Sequence, residues 1–262
     1  MLFYGFTEKK NIKNIISRKI SKDFDIAQMR KWAKKGEWNM YIKIFQKMPE
    51  RSSLDFNDFN EMWGIQNVSD VNAELYQNVF SGDVDCEDLE DVYRKFNHEM
   101  HPLFRGKNMG LTDVVIFEGE AYFCQNEGFS KVEFDVSKTY EQDNLIKIVY
   151  VEPNRKPFVS EILNELEAEQ KAVGGLIELI GNGDGTYLVG NDESKLLGME
   201  GNRILDSGAV IAGPFFVVGD EGENFRSLTE DEIKKYMDMF YEPEEISRQQ
   251  VEADMGFLIF SF

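Results

Sequence analysis

The 262-residue chain has two cysteines, two histidines, six prolines and no long apolar run. Each scarcity narrows what it can do. Cys86 and Cys124 lie far apart, form no metal-binding spacing and are too few for a disulfide scaffold, so the composition fits a reducing, cytoplasmic setting. The longest apolar run, Ala209–Val218, is interrupted by Gly213-Pro214 and is about half of the ~20 residues a membrane helix needs. The start, MLFYGFTEKK, lacks the charged region followed by an apolar stretch that marks a signal peptide. The expectation is a soluble protein with no membrane partner.

The two histidines sit in FNHEMHPLFRG as His98 and His101. An i,i+3 pair beside Glu99 suits a metal only on a helix. Pro102 ends any helix there, and no third ligand has a recognisable spacing, so the stronger reading is a structural His-Pro turn without metal. Cys124 lies in a strand pattern flanked by aromatics and reads as a buried, unreactive thiol. The glycine-rich GNGDG at 181–185 is similar to a phosphate loop, but it lies between two strand patterns with no helix N-terminus after it. It predicts a hairpin turn. No enzyme signature emerges, so no catalytic residue and no cofactor is expected.

What the chain has in excess is negative charge. The formal net charge is −19, yet residues 1–50 hold 12 Lys/Arg against 5 Asp/Glu while the remainder holds 17 against 43. Such a surface repels nucleic acid and favours basic partners. Solubility is the plain reading; the sharper one is a surface that competes for the nucleic-acid-binding site of another protein. The densest candidate patch for a partner is Asp83, Asp85, Glu87, Asp88, Glu90 and Asp91. The basic N-terminal segment, residues 1–50, is the part suited to direct nucleic-acid contact. Lys9–Lys22 carries Ile12, Ile15, Ile16 and Ile20 at helical spacing. Met40–Met48 has a basic-aromatic face that could touch phosphates and bases but more often is an ordinary solvated strand face. Asn202, Arg203 and Arg226, near glycine-rich loops, are candidates for holding an anionic small molecule.

The patterning predicts an α+β protein of two small mixed domains. Residues 1–143 form the first, with Met40–Met48 alternating as an amphipathic strand whose second face is Tyr41, Lys43, Phe45 and Lys47. Ser81-Gly82-Asp83 reads as a turn, Glu87–Phe96 as an amphipathic helix, and Val114–Phe117 with Ala121–Cys124 as a hairpin. Tyr140–Asn144 reads as a linker. Residues 144–242 predict the order β-α-β-β-β-α. Leu145–Val151 is the first strand, and Val159, Ile162, Leu163, Leu166 and Val173 give the stripe of a helix opened by Pro157. Ala209–Val218 is the most apolar strand, and Thr229-x-x-Glu232 a capping box. The terminal MGFLIFSF predicts an edge strand for this chain or a partner, and so admits a homo-oligomer.

Two blocks bear a resemblance. LEDVYRKFN, His101-Pro102, the FRGKNMGLTDVV run and the hairpin ending in AYFC with Gly128-Phe129 resemble the YodL-like domain, over about residues 73–135. VEPNRKP, EILNELEAEQKAVGG, the Asn202-Arg203 turn, IAGPFFVVG and SLTEDEI resemble a domain of unknown function that recurs in phages and conjugative elements, over about 146–242. Residues 1–72 depart from the usual short N-terminal strand of the YodL-like domain. The resemblance implies an accessory protein of a mobile element, often found beside proteins that counter host defences. It supplies no catalytic residues to carry over. The expectation is a non-enzymatic binding protein acting on a host protein, with a small-molecule sponge as the alternative.

Overall fold

A computed structural model of the chain describes residues 40–49 and 71–259. The candidate basic helix at Lys9–Lys22 and the aromatics Phe56, Phe59 and Trp63 lie outside them. The first sheet is antiparallel and five-stranded, ordered β2-β1-β3-β4-β5, with β1 Met40–Lys47, β2 Tyr76–Val84, β3 Val114–Phe117, β4 Glu120–Cys124 and β5 Phe129–Val132. Helix α1, Leu89–Asn97, joins its second and third strands. The β3–β4 turn places Glu118 at φ 53° and Gly119 at φ 82°, the pair of positive angles a tight two-residue hairpin requires.

The second sheet is ordered β7-β6-β12-β9-β8, from β6 Leu145–Val151, β7 Phe158–Leu163, β8 Ile177–Gly181, β9 Thr186–Asn191 and β12 Phe215–Asp220. The short β13, Phe225–Arg226, pairs with the end of β12. Helices α2, Leu166–Val173, and α3, Glu230–Met239, follow β7 and β13, and a ribbon of β10 Gly201–Ile204 and β11 Val210–Ala212 stands apart. The expected series is present as β6, α2, β8, β9, β12 and α3, with β7, β10, β11 and β13 interleaved. The protein is a β-rich α+β fold.

Several elements differ from their sequence patterns, for identifiable reasons. Residues 158–163 form a strand, not the first turns of a helix: Phe158, Ser160 and Ile162 are buried while Val159, Glu161 and Leu163 are less so, the period of two that β6 selects. The helix starts only at Leu166. Ser81-Gly82-Asp83 runs through β2 rather than turning, because Gly82 has no Cβ where Ser160 Oγ approaches within 3.1 Å. Gly213, at φ 74°, splits the apolar run into β11 and β12. The C-terminal segment forms helix α4, Arg248–Ile259, where an edge strand was expected. Ser247 and Gln250 cap its start reciprocally, and Val251 anchors it.

The two halves share one core. A single cluster of buried side chains runs from Ile42, Phe80, Phe96 and Phe104 to Tyr150, Phe158, Ile162 and Phe216. His101 is the aromatic bridge: its ring stacks on Phe96 at 5.3 Å and lies 6.5 Å from Phe158, which contacts Tyr150 at 5.4 Å. The outer edge of β2 is closed by three different elements. Tyr140 pairs with Tyr76 and Asn78, the Arg105 amide donates to Val79 O, and Ser160 Oγ of β7 donates to Ser81 O. Tyr140, in the segment read as a linker, is therefore part of the sheet edge. On the other side of this sheet Phe45 is fully buried against Phe134 and Tyr76, so the second face of β1 is not solvated along its length.

Candidate functional site

The acidic segment at the end of β2 is the first candidate, and its six carboxylates separate into distinct roles. Asp83 lies in β2 opposite Tyr41, and burial pushes its carboxyl up to about 6. Asp85 pairs across the two halves with Arg155 at 3.3 Å, while its carbonyl accepts from Lys95 Nζ. Asp88 is the N-cap of α1 and accepts from the Asp91 amide at 2.9 Å. Asp91 accepts from the Glu87 amide and from Arg94, and these bonds hold its carboxyl below the ordinary value. Glu87, Asp88 and Glu90 face solvent. A negative first turn is favoured by the positive end of the helix dipole, so part of this charge serves α1 itself.

The second candidate is the polar seam behind β2. Asn78, fully buried, donates to Ser81 Oγ at 2.7 Å and to Glu141. Arg105 donates to Glu161 O at 2.7 Å and to Gln142 at 2.8 Å. Burial lowers the Arg105 guanidinium and raises the Glu141 carboxyl. The Tyr41 phenol is raised by burial and by the charges of Glu161 and Asp83. These groups bond to one another and form a polar joint between the sheets, buried at Asn78 and Ser81 and open at Tyr41 and Glu141.

A third cluster wraps Gln46 of β1. Its Nε2 donates to Lys107 O and to Asp113 Oδ2, and its Oε1 accepts from the Lys107 amide, all within 2.8–2.9 Å. Asp113 also accepts from the Gly110 amide, yet burial pushes its carboxyl up to about 7. Thr112 beside it has φ 72°, a strained value for a β-branched residue, with its carbonyl fixed by Tyr76 Oη at 2.8 Å. A Cβ at Gly106 would collide with Gln46.

Comparison with known families fits this layout: residues 41–134 match the YodL-like domain, and residues 146–241 match DUF3846, a domain of unknown function. The chain pairs a YodL-like domain with a DUF3846 domain. No curated protein and no solved structure matches it. The YodL-like match begins within β1, so Gln46 belongs to that domain and its FRGKNMGLTDVV run is the loop that Gln46 holds. In the DUF3846 domain, GNGDG is a hairpin turn with Gly183 and Gly185 at positive φ. Asp184 bonds Lys235, Thr186 and Tyr236, which together outweigh its partial burial and lower its carboxyl.

The residues proposed from sequence for a small anion are architectural. Asn202 and Arg203 are fully buried. Arg203 donates to Asn202 O, Asn202 Oδ1, Arg155 O and Phe240 O, tying β10 to the end of α3. Arg226 is held bidentately by Glu232 at 2.8 and 2.9 Å, and that pairing lowers the Glu232 carboxyl to about 2. These three do not converge on a cavity. His101 is buried, accepts from the Leu103 amide, and is driven down to about 3 by burial and then by Lys95. Burial pushes the Cys86 and Cys124 thiols up to about 11 and about 12, unsuited to nucleophilic attack. Sequence reasoning missed Gln46, Asn78, Arg105 and Asp113; the FRGKNMGLTDVV run, which carries Arg105 and Asp113, was the one signal for any of them.

Among the described residues no group of three or more His, Cys, Asp or Glu is placed to hold a metal, and no helix is long and apolar enough to cross a membrane.

Proposed function

We propose that the chain is a non-enzymatic binding protein of a phage or other mobile element, whose acidic surface occupies a basic, nucleic-acid-binding site on a host protein. The observation that supports it most is the start of α1. There Glu87, Asp88 and Glu90 stand exposed on a backbone held by the Asp91 amide donating to Asp88 and the Glu87 amide donating to Asp91, beside the Asp85–Arg155 pair. A rigid array of carboxylates suits a groove built for phosphates, since both are recognised by Lys/Arg forks. The polar groups of the seam and of the Gln46 loop bond largely to one another, so the exposed carboxylates of α1 are the stronger candidate for contact with a partner. The mobile-element setting is what the resemblance to these two domains implies, and no side chain bears on it.

Glu87→Lys/Glu90→Lys, which spares the Asp88 cap, tests the reading. Capture of host proteins by this variant and by the parent chain should differ, with basic proteins retained by the parent and lost by the variant. An unchanged set of captured proteins would remove α1 from the interface.

A further inference from the structure

The two outer strands of the second sheet are treated differently. β7 abuts β2, whereas among the described residues no strand pairs with the outer side of β8. The hydrogen bonds fix which groups β8 presents there. Asp192 N donates to Leu176 O, and Asn182 N donates to Thr186 O, in the same ladder that pairs Ile177–Gly181 with Asn191–Tyr187. Antiparallel pairs alternate, so the even-numbered residues bond β9 and the amides and carbonyls of Ile177, Leu179 and Gly181 point to the open edge. Leu176 is 55% exposed and Leu179 46%.

Natural edge strands are protected by lysine, proline, a bulge or a cover. β8 has neither lysine nor proline, and its register with β9 is unbroken. The outer strand of the first sheet, β5, by contrast carries Lys131 paired with Glu120 at 2.9 Å. The open groups of β8 are also self-complementary. A two-fold axis through Leu179 sets Leu179 against its copy and Ile177 against Gly181, which leaves room for it. Glu178 then faces Ile180 of the other copy, so no two carboxylates are opposed.

We propose that β8 is a self-association edge, on which the β8 of a second copy of this chain adds antiparallel and joins the two second sheets into one. The seam is short, so the dimer is weak and concentration-dependent. Both copies are acidic, so added salt strengthens it by screening their repulsion, the reverse of the salt response of an acidic surface on a basic partner.

Sedimentation equilibrium of the full chain over a wide concentration range, at low and high NaCl, with amide exchange at both extremes, tests this. The expected result is a dimer that grows with concentration and with salt and protects the amides of Ile177, Leu179 and Gly181. Leu179→Lys places two cations face to face, and Leu179→Pro removes an outward N–H at a position where an edge tolerates proline. Each variant that retains the parent's circular dichroism should weaken dimerisation about tenfold or more. A chain that stays monomeric throughout, or a dimer left intact by a folded variant, would overturn the proposal.

Discussion

At the scale of single residues, buried polar side chains hold the YodL-like domain together. Gln46 serves both ends of the 107–113 loop through three hydrogen bonds. Gln46→Ala should therefore cost about 1–2 kcal/mol in denaturant unfolding, because the buried Asp113 loses a partner, while the exposed Lys107 groups can turn to water. Asp113 gives a pH signature with a definite sign. Its carboxyl is raised to about 7 in the folded chain, above its unfolded value. The folded state then binds the extra proton, and the contribution is fully present below the unfolded value and is lost as pH rises to about 7. Asp83 acts in the same direction and His101, held near 3, in the opposite one, losing stability as pH falls from its unfolded value. Asp113→Asn keeps an acceptor for Gln46 and Gly110, so it should flatten the decline in stability between mildly acidic and neutral pH. Chemical denaturation across that range reads it; an unchanged profile would assign the slope to Asp83.

At the scale of elements, legibility followed how local the cause was. The capping box at Thr229 and Glu232, the α1 helix, the β3–β4 hairpin and the GNGDG turn are set by residues within a few positions of one another, and each is where its pattern places it. β7 was hidden because Val159, Ile162 and Leu163 satisfy helical spacing as well as alternation, and only pairing with β6 decides between them. The terminal apolar run concealed a helix for a related reason, since α4 is defined by its Ser247 cap and by Val251 packing on the β10–β11 ribbon. The candidate site divided in the same way. The acidic run was visible, but the burial of Asp83 and the pairing of Asp85 with Arg155 depend on contacts 42 and 70 residues away. Arg203 shows how far such contacts reach. Arg203→Met should destabilise the DUF3846 domain by about 3 kcal/mol or more, leaving three backbone carbonyls without their donor, and Arg203→Lys should recover only part, since an ammonium cannot span them. Thermal unfolding of both variants checks this.

At the scale of the whole molecule, the shared core makes the two domains one mechanical body. Arg105 and Ser160 cross between them, and Lys171 Nζ donates to Phe104 O at 2.6 Å. Arg105→Ala should therefore lower amide protection in β2 and in β7 together, within a single unfolding transition. Two separated transitions would show that the halves fold independently. A joined body of this kind presents its exposed carboxylates at fixed spacing, as the proposed recognition by charge requires. The most direct test of that claim is capture from host lysate at low salt, followed by a salt titration and by competition with duplex DNA. The expected result is a basic, nucleic-acid-binding protein that is released both by high salt and by DNA. A partner held equally at high salt and in the presence of DNA would contradict it.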